Sequence, residues 1–363
     1  MACGRGALSG VLCLRAALSF ALALAGLAGE SSRADSSCGA LDKKCAINAQ
    51  RDHVIKKIGF WQPAFSLPVE QRIGPAPPAL VEFVSLDNIK NDIPNKPRSA
   101  TVAPDFLRDI QDAVAGMPAQ VKIRLSRKLA GIYFVDDLGG SAFADMIFDA
   151  DNNPVAAFIL MDPAVLNKTA NEWATWKENT PFKPDPAFRL LAQIEEQSGD
   201  DRKNAIQYIL LHEIGHVLSV GEKIHPRWDA APKDVKSPDG YAYMQSSWYI
   251  DRDEDKYLTI FDLGFPQRRE ARYYFGAKLR ADQMQATYDN LERTNLATLY
   301  SANNPADDFA EAFANYVHVV LLKRPFLITI YRDGKAVKAY RACWEQRRCA
   351  EKKKIIERFL EGK

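Results

Sequence analysis

The sequence predicts an α+β chain: an N-terminal mixed sheet, a histidine-bearing helix, then a mostly helical C-terminal subdomain. Three observations predict it. Short apolar runs split by turn-rich residues fill the region 121–162. One longer periodic stretch, AIQYILLHEIGHVLSV at 205–220, follows. Beyond it, helical spacing recurs around 278–300, 305–323 and 350–361.

Composition sets the class. The chain has 363 residues, 47% hydrophobic and 26% charged, enough for a substantial core. A formal net charge of +2 leaves no dominant basic stripe, so no nucleic-acid partner is expected. The one dense basic stretch, RRCAEKKK at 347–354, reads as a solvated helix face.

The elements follow in order. Arg5 and Arg15 precede the apolar run AALSFALALAGLA and a small-residue stretch. Residues 1–34 therefore read as a secretory signal peptide, cleaved after about 28 or 34. The run is short for a ~30 Å hydrocarbon core, and no other segment is long enough to span one. A secreted or periplasmic protein, without a membrane span after signal removal, is the expectation. In that oxidising compartment Cys38, Cys45, Cys343 and Cys349 are disulfide candidates. Two local loops, 38–45 and 343–349, or a cross-link between the chain ends both fit. The spacings do not fit a C-x2-C zinc knuckle.

Residues 35–105 form a Pro-rich N-terminal extension: 35–55 is expected as an exposed polar entry segment with some helix, and the prolines of 60–105 predict extended chain and loops with a few edge strands. It can be a wrapped extension or an inhibitory pro-segment. The main domain is 106–363. FLRDIQDAVAGMP at 106–118 predicts a helix stopped at Gly116. VKIRLS and GIYFVDD, around 121–137, predict strands. ADMIFDADNNPVAAFILMD at 144–162 predicts a hairpin turning at DADNNP, and PAFRLLAQIEEQ at 186–197 predicts a helix. The loop-rich stretch 221–270 carries Trp228, Tyr241, Tyr243, Trp248 and Tyr249, aromatics for a cleft or for the core. ITIYRDGKAVKAY at 328–340 predicts a hairpin across Asp333 and Gly334.

His212 and His216 stand four apart, on one helix face, where two imidazoles can reach one tetrahedral ion. Glu213 is rotated away from the pair, free to act as general base. This is the H-E-x-x-H pattern of zinc peptidases. With five histidines, chance would produce it on the order of 0.004 times per chain of this composition. Gly215 costs about 1 kcal/mol in a helix interior, which suits a close approach between the histidines.

A catalytic zinc takes three protein ligands and keeps one open position. The metzincin spacing fails, because Glu222 and Ser219 occupy its histidine and glycine positions. Downstream, Asn304 and Pro305 start a helix in YSANNPADDFAEAF. Asp307 and Glu311 share one of its faces. One can ligate zinc while the other supports a ligand histidine from the second shell. His225 is a further candidate. His318 reads as a polar residue at that helix's end.

HEIGH with a distant acid-x-x-x-acid helix resembles the gluzincin group of zincin metallopeptidases. YSANNPADDFAEAF looks most like the catalytic domain of anthrax lethal factor and related zincins. The resemblance covers roughly a tenth of the chain. It implies a zincin-like fold and one catalytic zinc ion. It places the third ligand at Asp307; read without it, Asp307 as third residue of the helix can simply serve the cap and dipole, which leaves Glu311 as the alternative ligand and His225 after it. It implies Glu311 as support for a histidine and Tyr300 as oxyanion donor. One departure stands out: the group's ligand is usually glutamate, and Asp307 is one methylene shorter. The functional expectation is a zinc metallopeptidase, an endopeptidase rather than an exopeptidase, acting on a protein or peptide substrate. The alternatives are a non-catalytic zinc-binding scaffold and a zinc amidase acting on a cell-wall amide.

Overall fold

Two apolar runs, Leu129–Asp136 and Pro154–Met161, are buried along most of their length and form the centre of the main sheet. The computed structural model describes residue 38 and residues 42–274 and 276–362. The segment 1–34, read as a signal peptide, lies outside the described residues.

In chain order the first elements are α1 (Lys43–Asp52), α2 (Ile58–Phe65), β1 (Ile73–Pro75), α3 (Pro78–Lys90), β2 (Arg98–Ser99), α4 (Pro104–Ala115) and α5 (Ala119–Lys128). Then come β3 (Leu129–Asp136), β4 (Ala142–Phe148), β5 (Pro154–Met161), α6 (Ala170–Asn179), β6 (Phe188–Gln193) and α7 (Arg202–Ser219). The short α8 (Ala242–Gln245), the hairpin β7 (Trp248–Asp251) and β8 (Lys256–Thr259), and α9 (Met284–Leu291) follow. Last are α10 (Pro305–Tyr316), β9 (Leu327–Arg332), β10 (Lys335–Arg341) and α11 (Ala350–Glu361). The chain is α+β, as expected.

The main sheet is mixed, in the order β1–β3–β5–β4, with β2 also paired to β3. β1, β3 and β5 run parallel, and β4 is antiparallel to β5. Alternation, shifted by one residue at an irregularity between Leu129 and Ile132, sorts β3 onto two cores: Leu129, Ile132 and Phe134 in one, Ala130, Tyr133 and Val135 in the other. Trp61 of α2 and Phe83 of α3 pack on Phe158 across the second face. The first face meets α4, α5 and α7. β4 is the terminal strand. Among the described residues its outer side meets only one bridge, Lys57 to Phe148. A second sheet, β10–β9–β6, is antiparallel.

Many local expectations hold: the helix ending before Gly116, the β4–β5 and β9–β10 hairpins, and the closing helix. The cysteines pair locally, Cys38 with Cys45 and Cys343 with Cys349. Others do not hold. VKIRLS lies in helix α5. Val121 and Leu125, one turn apart, are fully buried, while Ile123 between them is 61% exposed. PAFRLLAQIEEQ contains strand β6, because pairing with β9 from Phe188–Arg332 to Gln193–Leu327 overrides its local spacing. The Pro-rich segment holds helices α2 and α3. Pro78 opens α3, where the missing N–H costs nothing; the expected edge strands are present as β1 and β2, each paired to β3. The basic face of α11 is not wholly solvated: Lys352 is fully buried, 2.5 Å from Asp308.

Candidate metal centre

Helix α7 begins at Asp201, whose side chain accepts from the Asn204 N–H at 2.8 Å. It crosses the middle of the molecule buried on nearly every side, and His212 and His216 are among its few partly open residues. Their Nε2 atoms lie 3.2 Å apart. Helix α10 packs against this face. Its Asn304 cap accepts from the N–H groups of Ala306 and Asp307, both at 3.0 Å. Gly215 makes the contact possible: a Cβ there would stand 2.7 Å from Ala310 Cα. The mid-helix glycine thus admits the second helix between the two histidines.

This packing brings Asp307 Oδ1 to 3.4 Å from His216 Nε2. Asn304 Nδ2 donates to its other oxygen at 2.8 Å. One ligating atom each from His212, His216 and Asp307 lies within 4.8 Å of the others. Two imidazole nitrogens and one carboxylate oxygen are a donor set that suits zinc. Burial would raise the Asp307 carboxyl, but the neighbouring His216 and His212 outweigh it and hold it below its usual range.

Glu311 stands behind His212 instead. Its Oε1 is 3.1 Å from His212 Nδ1, at an angle short of a good hydrogen bond. Lys177 Nζ donates to the same oxygen at 2.7 Å, and the Thr298 hydroxyl to Oε2 at 2.8 Å. Burial would raise the Glu311 carboxyl, yet Lys177 and His212 overcome it and hold it far below the usual range. Glu178 extends this buried network, accepting from Tyr273 and Tyr288 at 2.9 and 2.6 Å. Lys177 is the residue that sequence reasoning missed. It is one lysine on an ordinary helix, and nothing local marks it. Its ammonium also lies 4.8 Å from the centre of the Tyr300 ring.

Glu213 is buried, with Oε2 lacking any hydrogen-bond partner. Burial pushes its carboxyl up to about 7. Tyr300 faces the same cleft, its ring 5.4 Å from that of His212. On one side of Glu213 a cavity of about 190 Å³ is walled by Trp173, Ile209 and Tyr274. On the other, about 280 Å³ is bounded by His216, Trp228 and Asp307. Ala142 of β4 lines both cavities.

Other sequence candidates lie apart. His225 is buried, with Nδ1 2.7 Å from the Pro226 carbonyl oxygen and Nε2 3.0 Å from Ser219 Oγ. It is not among the three groups whose ligating atoms converge. His318 is fully buried rather than a polar helix end, 2.7 Å from the Ile194 carbonyl oxygen. Of the loop aromatics, Trp228 lines the cleft, 5.6 Å from His216. Tyr243 and Trp248 are core residues that donate to Asp308. Comparison with protein-family models, curated proteins and solved structures finds no match, so geometry alone carries the functional reading.

Proposed function

We propose that the chain is a secreted or periplasmic zinc metallopeptidase of the zincin type. The observation that carries the reading is the convergence of His212, His216 and Asp307 beside the partnerless carboxylate oxygen of Glu213. His212 and His216, through Nε2, and Asp307, through Oδ1, would hold the metal. Zinc, when bound, supplies Lewis-acid activation of water and of the scissile carbonyl. Glu213 Oε2 takes the proton of the attacking water and passes it to the leaving nitrogen. The Tyr300 hydroxyl donates to the developing oxyanion. Glu311, backed by Lys177 and Thr298, orients the His212 ring. The outer edge of β4, which among the described residues meets only the Lys57–Phe148 bridge, offers the substrate backbone a strand to join. Two disulfides support an oxidising compartment. Among the described residues no helix is long and apolar enough to cross a membrane.

A purely structural zinc site would be closed by a fourth protein ligand. Among the described residues three groups converge, which favours catalysis over a scaffold. The test compares wild type with Glu213→Ala on a mixed peptide library, with zinc content measured for both. Cleavage should fall by ~10²–10⁴ with zinc retained. Equal cleavage removes Glu213 as the base. A zinc-loaded wild type that cleaves no peptide returns the amidase or scaffold reading.

A further inference from the structure

The cleft does not end at His212. The cavity beside Glu213 shares Gly140, Ser141 and Tyr274 with a larger groove of about 870 Å³. Gly140 and Ser141 lead directly into β4, so the terminal strand runs from this groove to the metal centre. Two large aromatic side chains line the groove in the open: Trp176, 42% exposed, and Tyr274, 41% exposed. Their ring centres are 5.4 Å apart with planes inclined by 31°. Phe182 and Val165 add apolar walls. An open groove walled by paired, exposed aromatics marks a binding surface more than a fold requirement.

The backbone supplies an independent observation. Tyr274 has φ 67°, the left-handed region that bulky side chains rarely enter. Such strain persists where the surroundings impose it, and it clusters at ligand sites. Here it stands Tyr274 between Tyr300, 6.3 Å away in the inner cavity, and Trp176 in the outer groove.

We propose that the substrate is an extended polypeptide that joins the edge of β4 and lays a large apolar or aromatic side chain on the Trp176–Tyr274 pair. The inference rests on the metallopeptidase reading above and adds a substrate preference to it. Ala144, near Glu213, and Gly140 are at most ~13 Å apart along an extended chain, at ~3.3 Å per residue. The contacted side chain therefore lies no more than about four residues from the bond that is cut.

The experiment uses zinc-loaded protein and synthetic peptides with phenylalanine or serine at positions up to about four residues from the cleaved bond, on either side. Wild type should cleave the phenylalanine peptides roughly tenfold better in kcat/KM, the scale of one aromatic contact. Trp176→Ala should bring that ratio close to one, and Trp176→Phe should keep most of it. A ratio that is the same in wild type and Trp176→Ala overturns the inference while leaving the peptidase reading intact. A wild type that cleaves neither peptide refutes the peptidase reading, and the inference falls with it.

Discussion

Replacing Gly215 with alanine would separate helix stability from metal binding. On propensity alone the change favours α7 by about 1 kcal/mol. Packing opposes it. The new Cβ would stand 2.7 Å from Ala310 Cα, 3.1 Å from its carbonyl oxygen and 3.3 Å from its Cβ. Carbon atoms pack best at ~3.5–4.0 Å, so α10 must retreat by roughly 0.8 Å or more. The nearest atoms are backbone, so no rotamer change relieves the contact. Asp307 is one turn before Ala310 on the same helix, and its carboxylate retreats too. A zinc–carboxylate bond of ~2.0–2.2 Å tolerates about 0.2 Å of error. The shift therefore takes Asp307 out of reach of the proposed zinc site. Overpacking costs about 1–3 kcal/mol, partly offset by propensity. The thermal midpoint of the metal-free protein should fall by only a few degrees. Zinc affinity, measured by chelator competition, should fall roughly 100-fold. Gly59→Ala is the control: a Cβ at that exposed position in α2 meets nothing within 4 Å. It should leave zinc affinity unchanged. A Gly215→Ala protein that binds zinc as tightly as wild type refutes the reasoning.

The two acids of α10 separate in the same assay. Asp307→Ala should strip zinc, whereas Glu311→Ala should weaken it by about 10–100-fold; the reverse order would exchange their roles. Stability should also fall with acidification. Burial pushes His318 down to about 4, so the folded chain refuses a proton that the unfolded chain takes up near ~6.5. Its contribution is intact above that window and is lost as pH falls through it, by about 2 kcal/mol between pH 7 and pH 5. His225, also pushed down to about 4 by burial, adds a loss of the same sign. Denaturant titrations at the two pH values test this, and a His318→Gln slope identical to wild type would count against it.

Much of the architecture was legible because it is local. The terminal hairpin turns on Asp333 and Gly334 and helix α10 starts on Asn304 and Pro305. Such signals need only a few neighbouring residues, whereas the sequence left the cysteines two kinds of pairing and the structure chose the local one. β6 was not legible, because its partner β9 lies far along the chain and supplies the backbone hydrogen bonds. Helix α5 was misread for a related reason. Val121, Ile123 and Leu125 alternate like a strand, and only packing shows that Ile123 faces water.

The candidate site divides the same way. The sequence by itself determined that His212 and His216 share a helix face with Glu213 turned aside, because 3.6 residues per turn fixes that geometry wherever the helix sits. It also narrowed the acids to one stretch, DDFAE. Only the tertiary structure decided how those acids divide. Asp307 faces the Nε2 atom of His216, and Glu311 stands behind His212. Asp308, between them in sequence, points away into a buried pair with Lys352. Lys177, held against Glu311, belongs to the same decision. The reason is physical. Asp307 and Glu311 reach the histidines through the close crossing of α7 and α10 at Gly215, while Lys177 comes from α6 and Lys352 from α11, and side-chain spacing along one helix carries no information about what another helix will present.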